Sequence, residues 1–353
     1  MDCKEMALSR RNILICMLGA MTPWATSFGQ SPDVAYPFYS AQDVLRGLYK
    51  HHLPKLVRAF ETEAEALQRL ANSRCQDRSS LKALREQWSL TLQAWQRLAT
   101  PGLGPVLKRR SQRKIDFWPT RPALVDKALA KGPQVLDDLA TVGTPAKGFP
   151  ALELLLSREP DAKTCQYVSL LTQDIAFEAK ALSEEFAQLA NNDWDDSEED
   201  AKLQFAEWIN QWLGGWERLR WTQIEQPILK GQTRSEPPVF ARKTMPTNHD
   251  EWGTQLSALL SQARWSEALP PRPGVEMIPI EALLRGKGHL STAARWGLAL
   301  DGVKQAFDQL TPLSPSSQWL AFAKKMKSVT TLYQNEVAQA LDIPLGFSDA
   351  DGD

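Results

Sequence analysis

Apolar residues recur every three or four positions along most of this chain, the spacing that lines one face of an α-helix. Leu53, Leu56, Phe60, Ala64 and Leu67 form one such stripe, with Pro54 placed where a helix can begin. A second runs through Leu81, Leu84, Trp88, Leu92, Trp95 and Ala99, after the turn-like Gln76 to Ser80. A long third stripe passes from Val168 through Leu171, Ile175, Ala179, Leu182 and Phe186 to Leu189. Phe205, Trp208, Trp212, Trp216 and Leu219 make a fourth, and two more lie around Ala282 to Leu310 and Trp319 to Leu341. No stretch combines period-two alternation with β-branched enrichment and bounding turns. The pattern predicts an all-α fold.

The breaks in the pattern divide the chain. Asn191 to Asp200 is turn-rich and holds six carboxylates. Gly231 to Asp250 is irregular and contains Pro237, Pro238 and Pro246, and Leu269 to Pro279 is again proline-rich. Long helices on short linkers favour antiparallel bundles. We therefore expect two helical-bundle halves packed together, residues 30–195 and 196–353. The acidic stretch lacks the regular ligand spacing and central glycine of a calcium loop, so it reads as a solvated linker ending in a helix cap. The Trp208, Trp212 and Trp216 stripe, at strict four-residue spacing, reads as a packed core face rather than a ligand pocket.

The first 29 residues read as an export signal. Lys4, Arg10 and Arg11 precede an apolar run of nine, Ile13 to Met21, and small residues follow at Ala25, Ser27 and Gly29, placing cleavage near residues 25–29. Nine apolar residues are too few to span a bilayer, so no transmembrane segment is expected in the mature chain. Ser9 to Leu14 also has the form of a twin-arginine signal; a general secretory signal whose arginines only orient it fits as well. Either route leads to the periplasm or cell envelope.

Composition changes the picture in two ways. With 41 Lys and Arg against 42 Asp and Glu the chain is nearly neutral, which excludes a surface built to neutralise nucleic-acid phosphates. Of four cysteines, only Cys75 and Cys165 lie beyond the signal. In an oxidising compartment such a pair is expected to form a disulfide; their spacing fixes no geometry, and two separate buried thiols are the alternative.

The usual catalytic signatures are missing. His51 and His52 are adjacent and point to different sides of a helix, while His249 and His289 are isolated, so no zinc helix can be drawn. There is no nucleophile elbow, phosphate-binding loop or dinucleotide fingerprint. Two segments nevertheless interrupt the helical pattern. Arg113 to Pro119 combines two basic residues, an acid, two aromatics and a proline. Gly148 to Leu156 opens with Gly-Phe-Pro, a form suited to a helix start, which would place Glu153 in the first turn, where the helix dipole favours a carboxylate.

On these segments the chain resembles the imelysin-like family of bacterial envelope proteins, related to an M75-type peptidase. The resemblance rests on Phe117-Trp118-Pro119, on Gly148 to Glu153, and on the ending Gly346-Phe347-Ser348-Asp349-Ala350-Asp351-Gly352-Asp353. It covers essentially the whole mature chain, with the imelysin-like domain over about residues 40–345, and implies an all-helical fold. It also implies a metal motif, G-x-H-x-x-E, of which Gly148 and Glu153 match the ends while Pro150 occupies the histidine position. Phe240 to Lys243 is a second departure, where related sequences carry a Trp-Arg-Ser-Gly-like stretch.

Without that imidazole, the expectation is a non-catalytic protein that binds a ligand, metal or partner in a cleft between the helical halves. The resemblance implies a link to iron acquisition, with iron or another divalent metal as cofactor and other periplasmic iron-uptake proteins as partners. Arg113, Asp116, Trp118, Gly148 and Glu153 are the expected lining, and Glu153 and Asp116 the best metal candidates. The rivals are a metallopeptidase using Glu153 and a structural envelope protein.

Overall fold

Two prolines shape the helices that position the site. A proline inside a helix cannot donate its N–H, and its ring collides with the carbonyl four residues back. Pro54 and Pro227 each follow a π-helical segment, Arg46–His52 and Arg218–Glu225, in which that carbonyl lies. The wider turn moves the carbonyl aside. The chain is therefore already helical before Pro54, from Ala41, where Ser40 and Asp43 form a capping box.

The computed structural model describes residues 34–344, apart from Gln76 and Pro160, and no strand occurs among them. Helix α1 spans Leu53–Arg74, α2 Leu81–Leu98, α3 Ser111–Ile115, α4 Gly148–Leu156 and α5 Ala162–Leu189. Helix α6 spans Glu198–Glu217, α7 Met245–Ala263, α8 Leu290–Asp308 and α9 Ser316–Leu332. The fold is all-α, and the described residues from Ala35 onward cluster as one compact unit. The stretch expected to be an export signal, residues 1–29, and the Gly346–Asp353 ending lie outside the described residues.

Helix α1 packs along both α5 and α2, so the first three predicted stripes face one another. Cys75, after α1, and Cys165, in the first turn of α5, are joined by a disulfide with Cα atoms 5.6 Å apart. The tryptophan stripe of α6 is core. Trp208, Trp212 and Trp216 are buried, Trp212 and Trp216 stack, and each indole N–H finds an acceptor: Gln262 Oε1, Leu259 O and Met326 O. Paired in this way, the rings bury their area without stranding a donor.

Helix α7 is an addition to the pattern. The region around Pro246 reads as irregular, yet Met245 begins a helix capped by the Thr244 hydroxyl. Pro246 sits in its first turn, where a missing N–H costs nothing. The acidic linker also behaves as a cap, because the Ser197 side chain accepts from Asp200 N at the start of α6. In the same stretch Trp194 is buried and stacks on Tyr49.

A candidate ligand site around Asp116 and Arg242

The two segments that break the helical pattern meet at Gly148. Its φ is +67°, and a Cβ there would fall 2.0 Å from the carbonyl oxygen of Ile115. Only glycine lets the chain pass so close. Gly148 thus sets the backbone rather than lining a cleft. Next to it, Trp88 Nε1 donates to Phe149 O at 3.2 Å. Asp116, the cap of α3, is held directly above this crossing.

Asp116 is 5% exposed and forms an ion pair with Arg242, itself 4% exposed. Arg242 Nη2 lies 2.8 Å from Asp116 Oδ1 and donates to Oδ2 at 2.9 Å. Asp116 Oδ2 also accepts from Gln96 Nε2 at 2.7 Å, and from Trp95 Nε1 and Gln112 Nε2 at 3.3 Å each. Arg242 in turn donates through Nε and Nη2 to buried Glu251, at 2.5 and 2.9 Å. Gln255 Nε2 joins Glu251 Oε1 to Gln96 Oε1. Asn248 fixes the turn itself, accepting from Arg242 N and donating to Arg242 O. Burial works against the charge on Arg242, but Asp116 and Glu251 outweigh it and hold its pKa above the usual arginine value. Burial pushes the Glu251 carboxyl up, against the pull of Arg242.

Glu153 reaches the same turn from α4. Helix α4 starts at Gly148, so Glu153 lies past the first turn and does not cap its own helix, contrary to the sequence expectation. Its Oε1 instead accepts from Lys243 N at 2.9 Å, and Lys243 Nζ donates to Ser157. Burial raises the Glu153 pKa, an effect that the Lys243 N–H and the Arg242 charge only partly offset. Trp118 is half-buried and donates from Nε1 to Phe240 O at 3.2 Å. Arg113, on α3, is exposed and takes no part in these contacts. The structure thus gathers Asp116, Trp118 and Glu153 around residues 240–243 and leaves Arg113 outside. Each of these contacts joins a residue before 195 to one after 196.

Several members carry no sequence signal of their own. Gln96, Glu251 and Gln255 are polar residues on regular helices, and nothing local marks them as buried. Arg218 is the least expected. It opens the π-helical segment that precedes Pro227 and lies within the field of Asp116, Glu251 and Arg242. Burial lowers its pKa, an effect the two carboxylates oppose; a guanidinium still remains charged in water.

The sequence profile of imelysin matches residues 52–257. This chain belongs to the imelysin family. No curated protein matches it. The imelysin fold is also seen in an imelysin-like protein from Psychrobacter arcticum 273-4, which is 20% identical, with a TM-score of 0.72 over 89% of this chain and 100% of that one. A protein from Parabacteroides distasonis ATCC 8503, provisionally named an iron-regulated protein A precursor, is 10% identical, with a TM-score of 0.67 over 85% of this chain and 95% of that one.

The metal expected of an imelysin motif does not fit this site. Pro150 stands at the histidine position, is buried, and has no donor atom for a metal. Asp116 is committed to Arg242 and three neutral donors, and Glu153 to Lys243 N. Among the described residues no three His, Cys, Asp or Glu side chains gather as a metal-ligand group. Two surface hollows lie away from the site, about 620 Å3 beside the disulfide and about 760 Å3 beside Lys287 and His289.

Proposed function

We infer that this imelysin-family protein is exported to the periplasm, binds a ligand where the 30–195 and 196–353 halves meet, and does not hydrolyse peptides. The observation that carries the reading is the pairing of the site's carboxylates. A metallopeptidase needs a carboxylate free to take a proton from metal-bound water, and ligands to hold the metal. Here Asp116 is ion-paired with Arg242 and accepts four hydrogen bonds at Oδ2, and Glu153 accepts from a backbone N–H.

The role we propose is in iron acquisition, alongside other periplasmic iron-uptake proteins. The name of the Parabacteroides relative supports this, as does the apolar run after Lys4, Arg10 and Arg11. The test has two parts. Purified protein is assayed for peptide hydrolysis with and without chelator, and a deletion strain is grown with and without available iron. We expect no chelator-sensitive hydrolysis and a growth defect confined to iron limitation, restored by the wild-type gene but not by Asp116→Asn. Chelator-sensitive proteolysis would overturn the non-catalytic reading, and iron-independent growth would overturn the physiological one.

A further inference from the structure

Arg113 stands outside the buried cluster, and it is not alone there. Residues 108–114 read Lys-Arg-Arg-Ser-Gln-Arg-Lys, five cations in seven residues with no acid among them. The segment runs from a one-turn helix, Pro105–Lys108, through Arg110 at φ +53° into α3. Its inner side is pinned to α5. Arg109 donates to Glu178 at 2.8 Å and to Glu185 at 2.7 Å, and Glu178 also accepts from Ser111 Oγ at 2.6 Å and Lys114 Nζ at 3.0 Å. The outer side is unpaired. Lys108, Arg110 and Arg113 are exposed, and their side chains make no hydrogen bond or ion pair among the described residues.

Arg113 N donates to Arg110 O at 3.0 Å, so the two guanidinium stems rise one turn apart on one side of α3. Like charges at that spacing repel unless an anion lies over them. The nearby carboxylates do not supply one. Glu178 and Glu185 are taken by Arg109 and Lys114, while Asp174 lies half-buried on α5 in the field of Lys114 and Lys147. Counting Lys147 and Asp174, six cations here face three carboxylates, and the exposed Lys180 and Glu184 of α5 offset each other. Beside this excess of positive charge, Phe177 immediately precedes Glu178 on α5 and is 62% exposed.

Neither surface hollow described above borders the strip. What it offers a partner therefore protrudes: long cationic side chains and one aromatic ring. A specific protein partner seats its anchor side chains in pockets. A bilayer needs none, because anionic headgroups take up the cations in any arrangement while an apolar ring enters the interface. Clusters of four or more Lys and Arg suit such a surface. A nucleic acid would require a longer basic track to follow its phosphates.

We propose that residues 108–114, with Phe177 beside them, form a docking surface for a membrane of anionic lipid. The contact is peripheral and made by side chains. It concerns where the protein works and does not depend on the ligand-binding reading above.

The test is sedimentation of the purified full chain with vesicles of phosphatidylglycerol and phosphatidylcholine in equal parts, against pure phosphatidylcholine, at low and high salt. Binding should require phosphatidylglycerol and disappear at high salt. Arg110→Gln with Arg113→Gln should weaken it about 25-fold, roughly fivefold for each charge removed. Arg110→Lys with Arg113→Lys should bind as wild type, since a bilayer reads charge and not guanidinium geometry. Lys324→Gln with Lys325→Gln, which removes two exposed charges from α9, should change little. Arg110 and Arg113 have no side-chain partners to lose, so their variants should melt with wild type. Amide exchange on the full chain locates the contact: phosphatidylglycerol vesicles should protect residues 105–115. Equal binding by the Arg110→Gln, Arg113→Gln protein, or no protection of 105–115, would overturn the proposal. Binding to polyglutamate but not to vesicles, lost in the same double variant, would make the strip a protein-docking surface and overturn the membrane.

Discussion

Asp116 and Arg242 stand 126 positions apart in the chain and meet in a buried ion pair, with Arg242 also bridging to Glu251. Arg242 is the only cation hydrogen-bonded to either carboxylate among the described residues, so its removal strands two buried charges. Arg242→Met should cost about 3–5 kcal/mol, the range for breaking a buried pair from one side. Urea denaturation of the variant against wild type measures it. A change below about 1 kcal/mol would mean that the cluster is far better solvated than its burial implies.

Gly148 has a different sensitivity. Gly148→Ala would drive a Cβ into the Ile115 carbonyl at a φ that L-residues avoid. The expected result is a clear drop in melting temperature, because α4 must move off the segment that carries Asp116. Gly143 is the internal control. Its φ is −64°, and the nearest atom to an added Cβ is Pro145 Cδ at 3.7 Å. Gly143→Ala should be neutral or stabilise by about 0.4–1 kcal/mol, through the unfolded chain.

Two groups should give stability opposite pH dependences. Burial, with a smaller push from Lys55, lowers the His52 pKa from 6.5 to about 4. Because its folded value is depressed, the protein must hold the ring neutral. Stability from His52 is full above about pH 6.5 and lost as pH falls toward 4, on the order of 3 kcal/mol at most. Glu153 is shifted upward by burial. Its contribution is full below the ordinary glutamate pKa and is lost as pH rises through the raised one. Melting curves from pH 4 to 8 should therefore flatten at the acid end in His52→Gln and at the neutral end in Glu153→Gln. Parallel curves for wild type and either variant would contradict the assignment.

The Cys75–Cys165 bridge spans a sequence separation of 90 and ties the end of α1 to the start of α5. Constraining a loop of that size in the unfolded chain is worth about 2–5 kcal/mol. Reduction, or Cys75→Ser with Cys165→Ser, should lower the melting temperature without loss of helical circular dichroism at 25 °C. No change on reduction would indicate that the packing of α1 on α5 alone holds this end.

Much of the fold was legible because helix formation is local. Stripes such as Val168 to Leu189 and Trp319 to Leu341 reveal themselves through neighbours three and four positions away. Helix α7 was hidden for the converse reason, since Pro246, Asn248, His249 and Asp250 crowd its first turns and mask the stripe of Trp252, Leu256 and Leu259. Within the site, Asp116, Trp118 and Glu153 stood out by interrupting a pattern. Arg242 drew notice only as a departure from related sequences, and Arg218, Glu251 and Gln255 drew none. A polar side chain on a regular helix looks alike in sequence whether it faces water or another helix.

The sequence by itself determined the all-α class, the helical stripes and the proline at the histidine position of the imelysin motif, because each is a matter of neighbouring residues. The tertiary structure alone decided that Gly148 is required by Ile115, that Glu153 serves Lys243 N rather than its own helix, and that Asp116 is paired while Arg218 is not. Those outcomes depend on which distant segments share one dry space. Burial and pairing of charge are set by that space and not by spacing along the chain.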